Sequence, residues 1–325
     1  MPPAARFRLL TRAALLALPL SLATCRDSAG PGRLGQVVWR VPGHGWAVVP
    51  SVDATTAYYG GFEHQIVAIE KATGRVRWTR STGLPGLYTN GHNTVLAASV
   101  VAVGDVDVYA FDRATGERRW VFRPANDDQP GYGWLASDGA TIYADSPEGR
   151  VYAIDAATGA QRWATDLSGG RAETGTLHPT LKDGVVYVGV YRNGFDATGA
   201  LVALDAATGA VRWTHEFTPE LPRQYSRCWG GAAFHGDKVI VASEDGRVFA
   251  LRAATGEVAW VAPRVHEVPG PSLIDARPLA VGGDTATAAT GPRPRSTATG
   301  SMRRRATAST HCGGAEPSAR RTVRR

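Results

Sequence analysis

Three cysteines, Cys25, Cys228 and Cys312, occur in 325 residues, and no two are close in sequence. That spacing excludes a disulfide framework and any zinc site built on a C-x-x-C pair. No G-x-S-x-G nucleophile elbow and no phosphate-binding glycine loop is present, which removes the signatures of two common catalytic classes. His44, His64, His92 and His178 are scattered without metal-ligand spacing and read as polar loop surface. The alternating Asp105 and Asp107, and the neighbours Asp145 and Glu148, fall in or beside hairpins and read as solvated turn residues. The apolar run from Ala13 to Leu22 is too short to span a bilayer stably. Residues 285 to 325 contain no Trp, Tyr, Phe, Ile or Leu, so they cannot bury enough surface to fold.

The formal charge of +7 belongs to the ends of the chain. Arg6, Arg8 and Arg12 give residues 1 to 24 a charge of +3, and nine arginines against Glu316 give residues 285 to 325 a charge of +8. Taking both from the total leaves −4 for residues 25 to 284. The body of the chain is mildly acidic, which argues against nucleic-acid binding.

What the body does contain is a repeat. Val151 to Trp163 reads V-Y-A-I-D-A-A-T-G-A-Q-R-W, and its pattern recurs at Val67 to Trp78, Val108 to Trp120, Leu201 to Trp213 and Val248 to Trp260, with a fragment at Gly35 to Trp39. The glycines stand at 35, 74, 116, 159, 209 and 256, a period that fits stacked modules of about four strands. Each copy is a buried strand, a turn closed by Asp, Thr and Gly, and a strand carrying Trp. Trp39, Trp78, Trp120, Trp163, Trp213 and Trp260, placed identically in successive units, are expected to pack between neighbouring modules. Asp138-Gly139, Asp183-Gly184 and Gly236-Asp237 mark one further turn per module, and Glu148-Gly149 and Asp245-Gly246 another. A longer hairpin around Tyr191 to Asp196 accounts for the widest step.

The A-x-D-x-x-T-G-x-x-x-W signature resembles the repeat of the pyrroloquinoline-quinone-like β-propellers, whose tryptophan-docking motif joins adjacent blades. The likeness runs from Gly35 to about Asp284, with full matches at Asp112, Asp155 and Asp205 and departures at Glu70 and Arg252. Arg252 is expected to lose the side-chain cap of its turn. The fold that follows is all-β, a propeller of four-stranded blades with five complete blades and a partial sixth, truncated against the roughly eight blades the family usually carries. Val37 to Arg40 is expected to form the earliest strand.

The boundaries read as a lipoprotein-type signal peptide at 1–24, a tether at 25–34, the propeller at 35–284 and a disordered basic tail at 285–325. Pattern is lost in mid-blade, between a turn and its strand, as out-of-frame translation would lose it. Leu22-Ala23-Thr24-Cys25 resembles a lipobox, with Thr24 departing from the usual small residue; it implies export and a lipidated Cys25 as membrane anchor.

Loops entering the first strand of each blade surround one mouth of a propeller. Those stretches hold Trp46, His92, Tyr132, Trp134, His178, Arg227 and Trp229 as ligand-binding candidates, which either receive a planar ligand, a sugar or a peptide or simply plug the channel. No catalytic residue and no metal ligand is assigned. The leading reading is a non-enzymatic binding or assembly scaffold in the cell envelope with protein partners, similar in kind to propeller lipoproteins of outer-membrane assembly. One alternative is a fragment or relative of a quinone-dependent dehydrogenase, which would bring pyrroloquinoline quinone and calcium as cofactors. The resemblance implies adjacent cysteines in many such enzymes, and this chain has none. A second alternative is a periplasmic propeller sensing a small ligand.

Overall fold

The computed structural model describes residues 37–41, 50–61, 64–83, 93–124, 131, 133–171, 174–192, 198–219, 226–228, 231–262, 280–282 and 285–287. Residues 1–290 and 291–325 separate as two units, and everything described belongs to the first.

Five four-stranded antiparallel sheets form the blades. Blade one is β1 (Ser51–Val52), β2 (Thr56–Gly61), β3 (Gln65–Glu70) and β4 (Val76–Ser81); blade two is β5 (Thr94–Ala97), β6 (Val100–Gly104), β7 (Val108–Asp112) and β8 (Arg118–Phe122). Blade three is β9 (Leu135–Ser137), β10 (Thr141–Asp145), β11 (Arg150–Asp155) and β12 (Gln161–Asp166). Blade four is β13 (Thr174–Lys182), β14 (Val185–Arg192), β15 (Gly199–Asp205) and β16 (Val211–Phe217); blade five is β17 (Ala233–His235), β18 (Lys238–Ala242), β19 (Val248–Arg252) and β20 (Val258–Ala262). A two-stranded sheet, β21 (Ala280–Gly282) and β22 (Thr285–Thr287), follows. These are the blades of a β-propeller, all-β as the alternation and turn spacing lead one to expect.

Two local expectations fail. Residues 37–41 carry no strand, although Val37 to Arg40 alternates like one; among the described residues they have no neighbouring strand to supply ladder bonds. Thr285–Thr287, assigned to the structureless tail, pairs with β21 in register Ala280↔Thr287 and Gly282↔Thr285. Three residues suffice there because a hairpin satisfies their backbone groups locally.

The middle strands of each blade are buried on both faces, which is why β6, β7 and β10 read as near-continuous apolar runs. Tyr143, Val151, Ala153, Val186, Val188 and Val202 pack across the join of blades three and four. The outer strands β4, β8, β12, β16 and β20 alternate exposed with partly buried positions.

The repeated tryptophans join blade to blade. The indole N–H of Trp39 donates to Lys71 O at 2.7 Å, Trp78 to Arg113 O at 3.2 Å, Trp120 to Ala156 O at 3.1 Å, Trp163 to Ala206 O at 3.0 Å and Trp213 to Ala253 O at 2.9 Å. Each acceptor is the second residue of the next blade's turn, and the ring lies over the glycine three residues further on. A Cβ at Gly159 would stand 2.7 Å from Trp120 Cδ2, and the φ of +77° is one that side chains rarely adopt. Opposite each tryptophan within its own blade sits an alanine: Ala68↔Trp78, Ala110↔Trp120, Ala153↔Trp163, Ala203↔Trp213 and Ala250↔Trp260. The register shifts immediately after each of these alanines, a bulge that increases local twist.

Tyrosines reinforce three of these joints. Tyr58, Tyr143 and Tyr187 lie 5.8 to 5.9 Å from Trp78, Trp163 and Trp213, and their hydroxyls donate to the same carbonyls of Arg113, Ala206 and Ala253. One carbonyl, with two lone pairs, serves two donors.

The turns close as their residues dictate. Asp155 Oδ1 accepts the N–H groups of Ala157 and Thr158, and Oδ2 accepts from Arg162 at 2.8 Å; Asp112 and Asp205 do the same with Arg119 and Arg212. Hydrogen bonds from those arginines, seconded by the turn donors, hold all three carboxyls at about 2. At Arg252 no such carboxylate exists, yet Gly256 N–H still donates to Arg252 O at 2.8 Å. The side-chain cap is lost and the turn remains.

Candidate functional site

In a meander ordered one to four, the hairpins between second and third strands share an end with the connections into the next blade. The described ligand-binding candidates, Trp134, His178 and Arg227, lie at that end. The first strands of successive blades adjoin along it, β1 beside β5, β5 beside β9 and β9 beside β13. Trp46, His92, Tyr132 and Trp229 fall outside the described residues; Trp134, His178 and Arg227 are described.

Trp134 and His178 meet across blades three and four, their rings stacked with centroids 3.9 Å apart and planes 30° apart. His178 has φ +52° and stands at the register shift between Leu177 and Thr180. The bulge turns its ring out of the β13 alternation and over the indole.

Beside this pair lies Asp145, the last residue of β10, only 2% exposed. Its Oδ1 accepts the backbone N–H groups of Gly133 and Trp134, both at 2.9 Å. Its Oδ2 is buried and has no hydrogen-bond partner, while the His178 backbone is near enough to favour the charged form. Burial outweighs those donors and pushes the carboxyl up to about 7. Tyr191 is raised as well, by burial first and then by the charge of Asp145. Its ring covers Gly175, where a Cβ would stand 2.3 Å from the phenol oxygen.

Arg227 is held by Glu244, with Nε to Oε2 at 2.6 Å and a second bond from the guanidinium to Oε1 at 2.9 Å. Glu244 is 2% exposed, and its own N–H donates to Arg227 O at 2.8 Å. The connection Ser226–Cys228 lies against β14 and β15 closely enough that a Cβ at Gly199 would meet Arg227 Cα at 2.7 Å. Arg227 therefore binds the crossover to blade five. Changing Glu244 to Gln is expected to cost about 3 kcal/mol, because it leaves a largely desolvated guanidinium opposite a neutral amide. Urea unfolding measures this, and an unchanged midpoint would show that the pair contributes nothing.

The carboxylates expected to be solvated are not. Asp105 and Asp107 are buried like Asp145, and the described histidine nearest them, His64, is buried with Asp105. His64 Nδ1 lies 2.8 Å from Asp105 Oδ2, which also accepts from Thr82 Oγ1 at 2.8 Å; Arg123 Nε donates to Asp107 Oδ1 at 2.7 Å. His64 belongs to blade one and Asp105 to blade two, so the pair ties a joint. The hairpins that carry them face the neighbouring blade rather than water, which short-range sequence pattern does not reveal. Glu148 alone of the four keeps partial exposure, paired with Arg150 at 2.9 Å.

The family model described as "Outer membrane protein assembly factor BamB" matches residues 32–129 and 104–292. Among solved structures, BamB from Moraxella catarrhalis is 18% identical over 75% of this chain and 82% of that one, with a TM-score of 0.45. A europium-containing methanol dehydrogenase is 15% identical over 67% of this chain and 50% of that one, with a TM-score of 0.57. The quinohemoprotein alcohol dehydrogenase from Comamonas testosteroni is 20% identical over 57% of this chain and 37% of that one, with a TM-score of 0.47. No curated protein matches the sequence. At 15% identity the likeness to the europium-containing methanol dehydrogenase speaks to the fold alone, and the family match spans most of the chain. The five blades, their tryptophan seats and that match together make the chain a member of the pyrroloquinoline-quinone-like β-propeller family described as outer membrane protein assembly factor BamB.

Proposed function

We propose that this chain is a non-enzymatic, exported β-propeller that acts as a binding or assembly scaffold in the cell envelope, held to the membrane by a lipid on Cys25. The observation that carries this reading is how the charged groups at the connection end are used. Arg227 is bound to Glu244, Asp105 to His64 and Thr82, and Asp107 to Arg123, so these carboxylates hold blades and connections together. The family's description as an assembly factor supports the same reading.

The dehydrogenase alternative needs a calcium ion under a quinone, and calcium takes six to eight oxygen ligands. Among the described residues no three acidic, histidine or cysteine side chains converge on a metal position. Asp145 offers one oxygen, and the other described carboxylates of the connection-end hairpins, Asp105, Asp107, Glu148, Glu244 and Asp245, are paired with arginine or histidine. The described residues do not fit that cofactor pair.

Thermal unfolding of the full chain with pyrroloquinoline quinone and calcium tests the choice. A specific cofactor at a hundred times its Kd adds about 2.7 kcal/mol, or roughly 5 to 10 °C for a chain this size. The scaffold reading expects no shift, and a saturable rise would overturn it. In the envelope, Cys25→Ala is expected to move the protein from the membrane to the soluble fraction; retention at the membrane would rule out the anchor.

A further inference from the structure

Asp145 stands where the other blades place only a small residue. Two residues beyond the partner of each tryptophan-facing alanine, blades one, two, four and five carry Gly60, Gly104, Gly189 and Ala242, paired with Ile66, Val108, Leu201 and Val248. Blade three carries Asp145, paired with Val151. The second strand therefore needs no carboxylate at this register. Nor does the connection into blade three, because Gly133 and Trp134 donate to Oδ1 alone, an acceptor that asparagine would supply without a charge. Oδ2 is the oxygen left over. It is buried and has no hydrogen-bond partner among the described residues, a state that costs free energy until a donor meets it.

The two backbone segments beside this carboxyl carry the stacked rings. Trp134 N–H is one of its donors, and the His178 backbone lies near it. Both side chains are half-buried, so the stack reaches solvent while the carboxyl does not. His178 and Pro179 have no Cα partner in the β13–β14 ladder, which breaks after Leu177↔Gly189 and resumes at Thr180↔Tyr187. His178 also keeps a φ of +52°. A residue outside the ladder and in a sparsely populated conformation shifts at less cost than one inside it.

We propose that Asp145, Trp134 and His178 form a binding site for a small primary amine carrying a flat apolar ring. Its ammonium donates to Asp145 Oδ2, and its ring takes the place of the His178 imidazole on the Trp134 indole. A single free oxygen suits the point donors of an ammonium, whereas a guanidinium needs both carboxylate oxygens for its paired bonds. The indole face favours a flat ring with a cation beside it. This site adds to the scaffold reading and does not rest on it. The amine binds the ionised carboxyl, so the burial that lifts Asp145 to about 7 ties affinity to pH. His178 on β13, Tyr191 on β14 and, next to Tyr191, Arg227 are the other titratable groups of this surrounding.

The probe is benzylamine, titrated into the full chain by calorimetry. Saturable binding is expected at pH 8 and about tenfold weaker binding at pH 6, where most of the carboxyl must first give up its proton. Benzyl alcohol, the same ring without the charge, should bind at least tenfold more weakly than benzylamine at pH 8. Asp145→Asn keeps the oxygen that accepts from Gly133 and Trp134. It should nevertheless weaken benzylamine at least tenfold at pH 8 and abolish the pH dependence. His178→Ala removes the ring that is displaced, and should tighten binding while keeping that dependence. Absence of saturable binding at pH 8, equal affinity for benzylamine and benzyl alcohol, or affinity unchanged by Asp145→Asn overturns the site. The comparisons of two ligands and of two pH values use the unaltered protein, so the result does not depend on how the variants fold.

Discussion

Gly159→Val is expected to lower Tm by about 10 to 20 °C. Two costs combine. A β-branched residue at φ +77° takes on roughly 1 to 2 kcal/mol of backbone strain. Its side chain also enters the space of the Trp120 ring, where a Cβ alone would stand 2.7 Å from Cδ2; displacing a packed aromatic ring costs roughly 3 to 5 kcal/mol. At about 2 to 4 °C per kcal/mol for a chain of this size, the sum of roughly 4 to 7 kcal/mol spans about 8 to 28 °C, and the stated range is its middle. Gly139→Val is the control. Its φ is +93° but nothing lies within 4 Å of an added Cβ, so only the backbone term applies and the fall should be a few degrees. Combining Gly159→Val with Trp120→Ala should cost little more than either change alone, since both break the same joint. Equal losses at Gly139 and Gly159, or additive losses in the double variant, would show that the seat does not hold the blades together.

Asp145→Asn is expected to stabilise the protein at pH 8 and leave it unchanged at pH 4. The carboxyl's ordinary value is 3.8, and burial lifts it to about 7 in the folded chain. An acid whose folded pKa is raised favours the folded state while protonated in both states. Its contribution is therefore complete below about pH 4, declines between pH 4 and 7, and is level above that. A difference of about three units corresponds to roughly 4 kcal/mol, an upper figure for the gain. Asparagine keeps the oxygen that accepts from Gly133 and Trp134 and carries no charge at any pH. Asp112, Asp155 and Asp205 act in the opposite sense, since their arginine partners hold them at about 2 and stability is lost as they protonate below pH 4. That loss is common to both proteins and cancels in the comparison. Urea unfolding at pH 4, 6 and 8 makes the measurement, and parallel curves would show that Asp145 is ionised in the fold at no cost.

The repeated modules were legible because they rest on local chemistry. Alternating apolar residues, an Asp or Thr that binds turn N–H groups, and a glycine at a positive φ act over a few residues, and five copies at nearly fixed spacing repeat the message. The alanine opposite each tryptophan was legible as part of the signature, though its use as the small partner that makes room for the ring was not. The tyrosines at 58, 143 and 187 left a fainter trace, since blades two and five carry Ala102 and Ile240 at the matching register.

The mouth was less legible. Trp134 and His178 could be named, but their stacking depends on a bulge at Leu177 that no residue type announces. Arg227 was named as a ligand-binding candidate and is instead part-buried and paired with Glu244. Asp105, Asp107 and Asp145 had the local setting of surface turns and are buried, Asp105 against His64 of blade one, Asp107 against Arg123, and Asp145 against the connection at Gly133 and Trp134.

By itself, then, the sequence determined the strand repeat, the turn chemistry and the family, all set within a span of some fifteen residues. Only the tertiary structure decided which charges are buried and which partner each one meets. Those outcomes depend on residues 11 to 41 positions away, brought together by the connections and by one blade packing on the next, and a carboxylate in a hairpin reads the same whether water or protein lies in front of it.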